Sequence, residues 1–197
     1  MVSEGAAEFG AFGVYQRTPW DRDGYEMRVR TEPCFICEFL SGTAGFEHEM
    51  VYDDGEHVGF LNKYPTLPFS VLVVPRRHVE DVVRDLNSQE YLRLQAAVHT
   101  VARAVAAVTD PERVYVASMG SKQGNAHIHW HIVPLPVGVP YREQQFRALD
   151  AEHGVLNYSS DEFAMVGRKI RAGLPATSPR PGAAMPEGVG EPSTGNP

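Results

Sequence analysis

From His127 onward the chain reads His127-Ile128-His129-Trp130-His131-Ile132, histidine alternating with large apolar residues. A period of two belongs to the β-strand, whose side chains point to opposite faces in turn. The spacing therefore predicts a strand that buries Ile128, Trp130 and Ile132 and lines one wall with three imidazoles. A single histidine there fits a half-buried structural role. Three in register need partners for both nitrogens of every ring, and all three cannot be protonated side by side without repulsion. The row points to chemistry, either a metal site, since imidazole is the commonest metal ligand, or nucleophilic or acid–base work.

At 197 residues the chain is long enough for one domain with a real core and short for two. No apolar stretch approaches a membrane span, and Met1-Val2-Ser3-Glu4-Gly5 lacks the basic-then-apolar order of a secretory leader. The expectation is a cytoplasmic protein without a membrane partner. A net charge of −7 argues against nucleic acid polymers, which are bound by neutralising phosphates with Lys and Arg. It leaves room for a locally positive pocket. The two cysteines, Cys34 and Cys37, read as small apolar residues opening a helix, as a redox pair, or as half of a zinc site needing two further ligands. A disulfide across so short a loop is disfavoured in a reducing compartment.

Residues 1–30 show no clear period and read as an extension with some strand. Glu49 to Tyr52 and His57 to Asn62 flank Asp53-Asp54-Gly55, a hairpin pattern. Phe69 to Val74 is a β-branched run stopped by Pro75, which reads as a buried strand. A short helix carrying Val79, Val82 and Val83 is expected after His78. Asn87 and Glu90 form a capping-box pattern, and Leu94, Ala97, Val98, Val101, Val105 and Val108 follow at helical spacing up to Asp110-Pro111. Arg113 to Ser118 is a further strand, Met119 to Asn125 a polar loop, and Ala126 to Val133 the histidine strand, closed by Pro134, Pro136 and Pro140. Helices are expected around Tyr141 to Asp150 and from Ser160 to about Ala172, the second opened by Ser159 and Glu162 with Phe163, Val166 and Ile170 on its apolar face. Beyond Leu174 the composition falls to Pro, Gly, Ala, Ser and Thr, too little apolar surface to offset ordering. This order predicts an α+β fold, a largely antiparallel sheet with helices on one face.

With those elements in place, the segment from about Cys34 to Pro136 resembles the histidine triad (HIT) superfamily of nucleotide hydrolases and transferases, in particular its zinc-containing bacterial members. The resemblance rests on His127-x-His129-x-His131 preceded by Gln123, on the Phe69 to Val74 strand leading into Pro75-Arg76-Arg77-His78, on Asn62, and on the Cys34/Cys37 pair. It implies an antiparallel sheet of about five strands with a long helix and C-terminal helices, and a homodimer. The chain then divides into an N-terminal extension over 1–30, a HIT domain over 31–140, a C-terminal helical extension over 141–174 and a disordered tail over 175–197.

The same resemblance implies a nucleotide bound with its α-phosphate against the histidine strand. His129 attacks the phosphorus, and water hydrolyses the nucleotidyl-histidine to release a nucleoside monophosphate. The substrate classes implied are phosphoramidates, dinucleoside polyphosphates and nucleotidyl conjugates. His131, on the same face, is placed to donate to the phosphate or leaving group, with Gln123 and Lys122 beside it. Asn62 matches a ribose-contacting position, or forms the turn at its strand end. Phe60, Leu61 and Ile36 form a slot for the base, or ordinary core. Cys34, Cys37, His78 and His127 match the Cys₂His₂ set that holds structural Zn²⁺ in several bacterial members. Two departures bear on the substrate: Ser70, eight residues before His78, stands where histidine is frequent, and Gly124, followed by Asn125, stands where Ser or Thr is usual. Competing readings are a nucleotidyltransferase or phosphorylase, a nucleotide-binding protein without turnover, and a metal hydrolase in which the three histidines chelate a catalytic ion.

Overall fold

A computed structural model describes residues 6–9 and 12–176, so the disordered tail expected from residue 175 falls, from 177 on, outside the described residues. In chain order the elements are β1 (Ala6–Glu8), β2 (Val14–Thr18), α1 (Arg22–Thr31), α2 (Phe35–Ser41), β3 (Met50–Asp53), β4 (His57–Leu61), β5 (Val71–Pro75), α3 (Ser88–Thr109), β6 (Arg113–Ser118), β7 (Trp130–Leu135), α4 (Phe146–Leu149), β8 (Val155–Asn157) and α5 (Ser160–Gly173). Five strands form one antiparallel sheet in the order β3-β4-β5-β7-β6. The α+β architecture is the one expected.

Both faces of this sheet are covered, and β5 shows why its sequence does not alternate. Val71 and Val73 enter the main core with Trp130 and Ile132, beneath α3 and α5, while Leu72 and Val74 turn to the other face and pack with Ile36, Val58 and Phe60 under α2. The expectation of helices on one face only is therefore corrected. α3 begins where Asn87 accepts from the backbone N–H groups of Gln89 and Glu90 while the Glu90 carboxylate accepts from the Asn87 N–H. That reciprocal cap satisfies donors a helix start leaves open. Leu94, Ala97, Val98, Val101 and Val105 are its buried stripe. α5 opens on the same device at Ser159 and Glu162 and buries Val166 and Ile170.

Four further expectations are corrected. No helix follows His78: the Asp81 carboxylate accepts from the N–H groups of Val83 and Arg84, and Asp85 from those of Glu80 and Asp81, so side chains hold the segment in turns. Regular pairing of the histidine strand begins at Trp130, because the Ile128 N–H donates to the Val79 carbonyl (2.8 Å) rather than to a strand. The strand also runs through Pro134 to Leu135; beyond Ile132 it pairs with β6 alone, so a missing N–H is tolerated there. In place of a helix over Tyr141 to Asp150 there are two 3₁₀ turns flanking the four-residue α4. Strand β8 follows and pairs with β2, completing a second three-stranded sheet, β1-β2-β8, that joins the two ends of the described chain. Among the described residues no helix is long and apolar enough to cross a membrane.

Candidate functional site

The histidine row splits in two, and the backbone decides how. His127 is fully buried, and its Nε2 lies 2.9 Å from the Pro75 carbonyl oxygen. A carbonyl only accepts, so Nε2 carries the proton and Nδ1 keeps the lone pair. That Nδ1 faces the Cys34 and Cys37 sulfurs, each at 3.7 Å. His78, just past the end of β5, repeats the arrangement: its Nε2 donates to Glu80 Oε1 at 3.2 Å and its Nδ1 lies 3.2 Å from Cys37 Sγ. Cys34 is the N-cap of α2 and Cys37 sits within its first turn, so both sulfurs emerge on one side of the helix.

The four donor atoms of Cys34, Cys37, His78 and His127 lie within 4.8 Å of one another. Tetrahedral Zn²⁺ with sulfur at about 2.3 Å and nitrogen at about 2.0 Å requires ligand atoms roughly 3.5 Å apart, which the three sulfur–nitrogen contacts of 3.2, 3.7 and 3.7 Å approach. The second nitrogen of each imidazole is already engaged by an oxygen, the outer support that metal-binding histidines ordinarily have. Burial, with the neighbouring Cys34 thiol, pushes the Cys37 thiol up to about 11; burial pulls His127 down to about 4, leaving its imidazole neutral. The neutral His127 imidazole, the His78 ring and two thiols that a cation would convert to thiolates are a chemically fitting set for zinc.

His129 is built the other way round. Its Nδ1 lies 2.9 Å from the His127 carbonyl oxygen, so the proton sits on Nδ1 and Nε2 is the lone-pair nitrogen. Burial lowers its proton affinity. His131 follows on β7, opposite Leu72 on β5 and Ala117 on β6, with its ring centroid 4.9 Å from that of His129. Burial, and then His129, bring His131 down to about 4. Meanwhile Ile128, Trp130 and Ile132 lie in the main core, so the alternation read from the sequence holds even where the strand is irregular. The three imidazoles do not converge on one ion; among the described residues the only group of metal-ligating side chains is the one containing His127. That corrects the reading in which all three chelate a catalytic metal.

His129 and His131 line a cleft of about 550 Å³ together with Asn62, Lys122 and Gln123. Cys34, His78 and His127 also line it, while Cys37 completes their cluster without reaching the lining. Asn62 Oδ1 accepts from the Tyr64 N–H at 3.0 Å, so half of its amide forms the turn at the end of β4. The Ser70 hydroxyl donates to the Leu67 carbonyl at 2.6 Å and is buried. Phe60, Leu61 and Ile36 are ordinary core, at most 1 % exposed; the apolar lining comes instead from Phe35, Phe46, His48 and Leu72. His48 packs against Phe39 and Phe60 and is held at about 4 by burial.

Sequence reasoning missed one wall altogether. α1 lies across the cleft and contributes Tyr25, Arg28, Val29 and Arg30 to its lining. Asp21 caps this helix, accepting from the Gly24 N–H at 3.0 Å, and Arg28 and Arg30 fall in its last turn. The cap and the charge order were the available signals; with no buried residue on the helix, there was no apolar stripe to find.

Comparison with known proteins identifies the family. Residues 45–136 match the HIT domain family model. An uncharacterized HIT-like protein of Saccharolobus solfataricus is 31 % identical over 103 residues, covering 50 % of this chain and 73 % of the relative. Among solved structures, a Zn-bound histidine triad family protein from Mycobacterium smegmatis is 26 % identical with a TM-score of 0.56, over 72 % of this chain and 92 % of that one. A hypothetical histidine triad nucleotide-binding protein from Sulfolobus tokodaii has the same fold, with a TM-score of 0.58 at 19 % identity, over 71 % and 91 % of the two chains. The matched family segment contains the whole His127 to His131 row, and the chain belongs to the histidine triad (HIT) family.

Proposed function

We propose that this chain hydrolyses a nucleoside 5′-phosphate derivative at its α-phosphorus through a nucleotidyl-His129 intermediate. The observation that carries the reading is the hydrogen bond from His129 Nδ1–H to the His127 carbonyl, which leaves Nε2 as a neutral nucleophile in the cleft. In the first step the Nε2 lone pair forms a bond to phosphorus as the bond to the leaving group breaks. The leaving group departs with the bonding pair and takes a proton from solvent. The His127 carbonyl, still accepting from Nδ1–H, stabilises the positive charge that the ring gains. In the second step water attacks the same phosphorus and releases a proton to solvent, the P–N pair returns to Nε2, and a nucleoside monophosphate leaves.

His131 is neutral in this scheme and serves as an N–H donor to a non-bridging oxygen, since phosphoryl transfer depends more on position and charge stabilisation than on covalent help from the protein. Lys122 adds positive charge, Gln123 a side-chain amide, and Asn62 a contact to the ribose. Cys34, Cys37, His78 and His127 would hold a structural Zn²⁺, supported by the zinc named for the Mycobacterium smegmatis relative and by the donor set here. When bound, the ion supplies a cross-link between α2 and the catalytic segment and takes no part in turnover. The protein acts as a cytoplasmic homodimer, with the HIT domain over 31–140 flanked by its extensions, and has neither a membrane nor a nucleic acid polymer as partner.

The test is incubation with a fluorogenic adenosine 5′-phosphoramidate. AMP release, with an acid-quenched adduct located on His129 by mass spectrometry, is the expected result; no AMP release and no adduct would overturn the reading. Added phosphate that turns the product from a nucleoside monophosphate into a diphosphate would instead identify a phosphorylase.

A further inference from the structure

α1 stands outside the segment that matches the family model, yet it is attached to the loop that precedes the reactive histidines at three successive residues. Arg30 Nη2 donates to Gln123 Oε1 at 3.4 Å, Asn125 Nδ2 donates to the Tyr25 hydroxyl, and Val29 occupies the space over Gly124. A Cβ on Gly124 would come within 2.6 Å of Val29 Cγ2, so the helix sits where a side chain would otherwise stand. The far end of the same loop touches the nucleophile: a Cβ on Gly120 would meet His129 Cε1 at 3.5 Å. One continuous surface therefore leads from the His129 ring to the last turn of α1.

That surface is cationic although the protein is not. Arg28, Arg30, Lys63 and Lys122 line the cleft against Glu32 and Glu80, in a chain whose net charge is −7. Arg30 is tied to Glu26 at 2.8 Å. Arg28, half-buried and in the cleft lining, has no carboxylate within 4 Å among the described residues. A cation left without an acidic partner beside an anion-processing centre is suited to a second anionic group of the ligand.

Resting on the reading of this cleft as a nucleotide site, we infer that α1 is the wall that reads the leaving group, with Arg28 binding phosphates beyond the α-phosphate. The substrates so favoured carry an anionic, phosphate-bearing leaving group and bind more tightly than those that leave as a neutral amine. Tyr25 supports this wall by fixing Asn125, and Arg30 does so by holding the Gln123 oxygen toward α1. Because guanidinium only donates, that contact orients the Gln123 amide with its N–H donors on the opposite side.

Equilibrium binding tests this without turnover. Dissociation constants are measured for AMP and for α,β-methylene-ATP, whose bridging carbon resists cleavage at the α-phosphorus, with the full chain and with Arg28→Ala and Arg28→Lys. The full chain should bind α,β-methylene-ATP about ten-fold or more tightly than AMP, the increment of one charge-assisted contact. Arg28→Ala should remove most of that difference while moving AMP less than about two-fold, Arg28→Lys should keep part of it, and raised salt should shrink it. Equal affinity for the two ligands in the full chain, or the same loss for both on Arg28→Ala, would overturn the proposal. Hydrolysis of a phosphoramidate that persists alongside equal affinities would leave the hydrolase reading standing while this one falls. A preserved Arg28-dependent difference in a protein that forms no His129 adduct would do the reverse.

Discussion

His127 and His129 are two residues apart and almost equally buried, at 0 % and 5 % exposed, yet they present opposite ring nitrogens. His127 gives its Nε2 proton to the Pro75 carbonyl and turns Nδ1 to two sulfurs; His129 gives its Nδ1 proton to the His127 carbonyl and turns Nε2 to the cleft. The ligand and the nucleophile thus differ in which nitrogen a main-chain oxygen has taken. The irregular backbone ahead of β7 makes this possible, because a residue in regular pairing would have spent the His127 carbonyl on a neighbouring strand.

The largest expected effect falls on the ring whose free nitrogen faces the cleft. His129→Ala removes the nitrogen that bonds to phosphorus, and AMP release from a phosphoramidate should fall by about 10³-fold or more. Metal content, measured by atomic emission, should stay the same. If turnover survives while the metal is lost, the assignment of the two rings is reversed.

Cys34→Ser attacks the other half. A site in which binding energy is folding energy should lose its ion and several kcal/mol of stability, which at about 2–4 °C per kcal/mol for a chain of this size is a fall of roughly 10 °C in the thermal midpoint. Chelation of the unsubstituted protein should shift the midpoint similarly. A catalytic ion would instead be stripped with loss of turnover and an unchanged midpoint. His131→Ala is milder, since it removes one donor to the phosphate and not the nucleophile; a loss of about 10²-fold in kcat with KM little changed is expected. A loss expressed in KM alone would make His131 a ground-state binding residue.

The contrast between these histidines and α1 also explains what the sequence could reveal. The row announced itself because alternation, burial and chemistry coincide in residues 127–132, and α3 and α5 did so through capping boxes followed by apolar stripes. The tautomers were legible only as a principle, since the carbonyl of Pro75 is 52 positions from His127. The second sheet escaped because β1 and β8 have three residues each, and β8 joins β2 from the other end of the chain. The supposed helix after His78 had the right valines, but Asp81 and Asp85 compete for the backbone donors it needed, and Val83 is left 87 % exposed. α1 was hidden for a different reason: none of its residues is fully buried, so its place is recorded in contacts such as Val29 on Gly124.

Those contacts give the smallest expected effect and the sharpest test of whether α1 belongs to the site. Gly124→Ser would set a side chain against Val29, whose branched end cannot turn aside as a flexible chain would. Either the helix shifts or the loop does, at a cost of about 1–3 kcal/mol. Because the same loop abuts His129, an effect of that size should appear in KM for a polyphosphate-bearing substrate as well as in the thermal midpoint. Val29→Ala removes the Cγ2 contact and leaves only the tighter-than-usual Cβ at 3.2 Å, so it should be nearly neutral alone and should restore most of what Gly124→Ser loses, leaving a coupling free energy of about 1 kcal/mol or more in the double-mutant cycle. Additive effects would place α1 beside the cleft without packing on its loop. Strong coupling in stability with none in KM would make the helix a brace for the fold alone, and the distinction between a reactive segment and a wall that reads its substrate would dissolve.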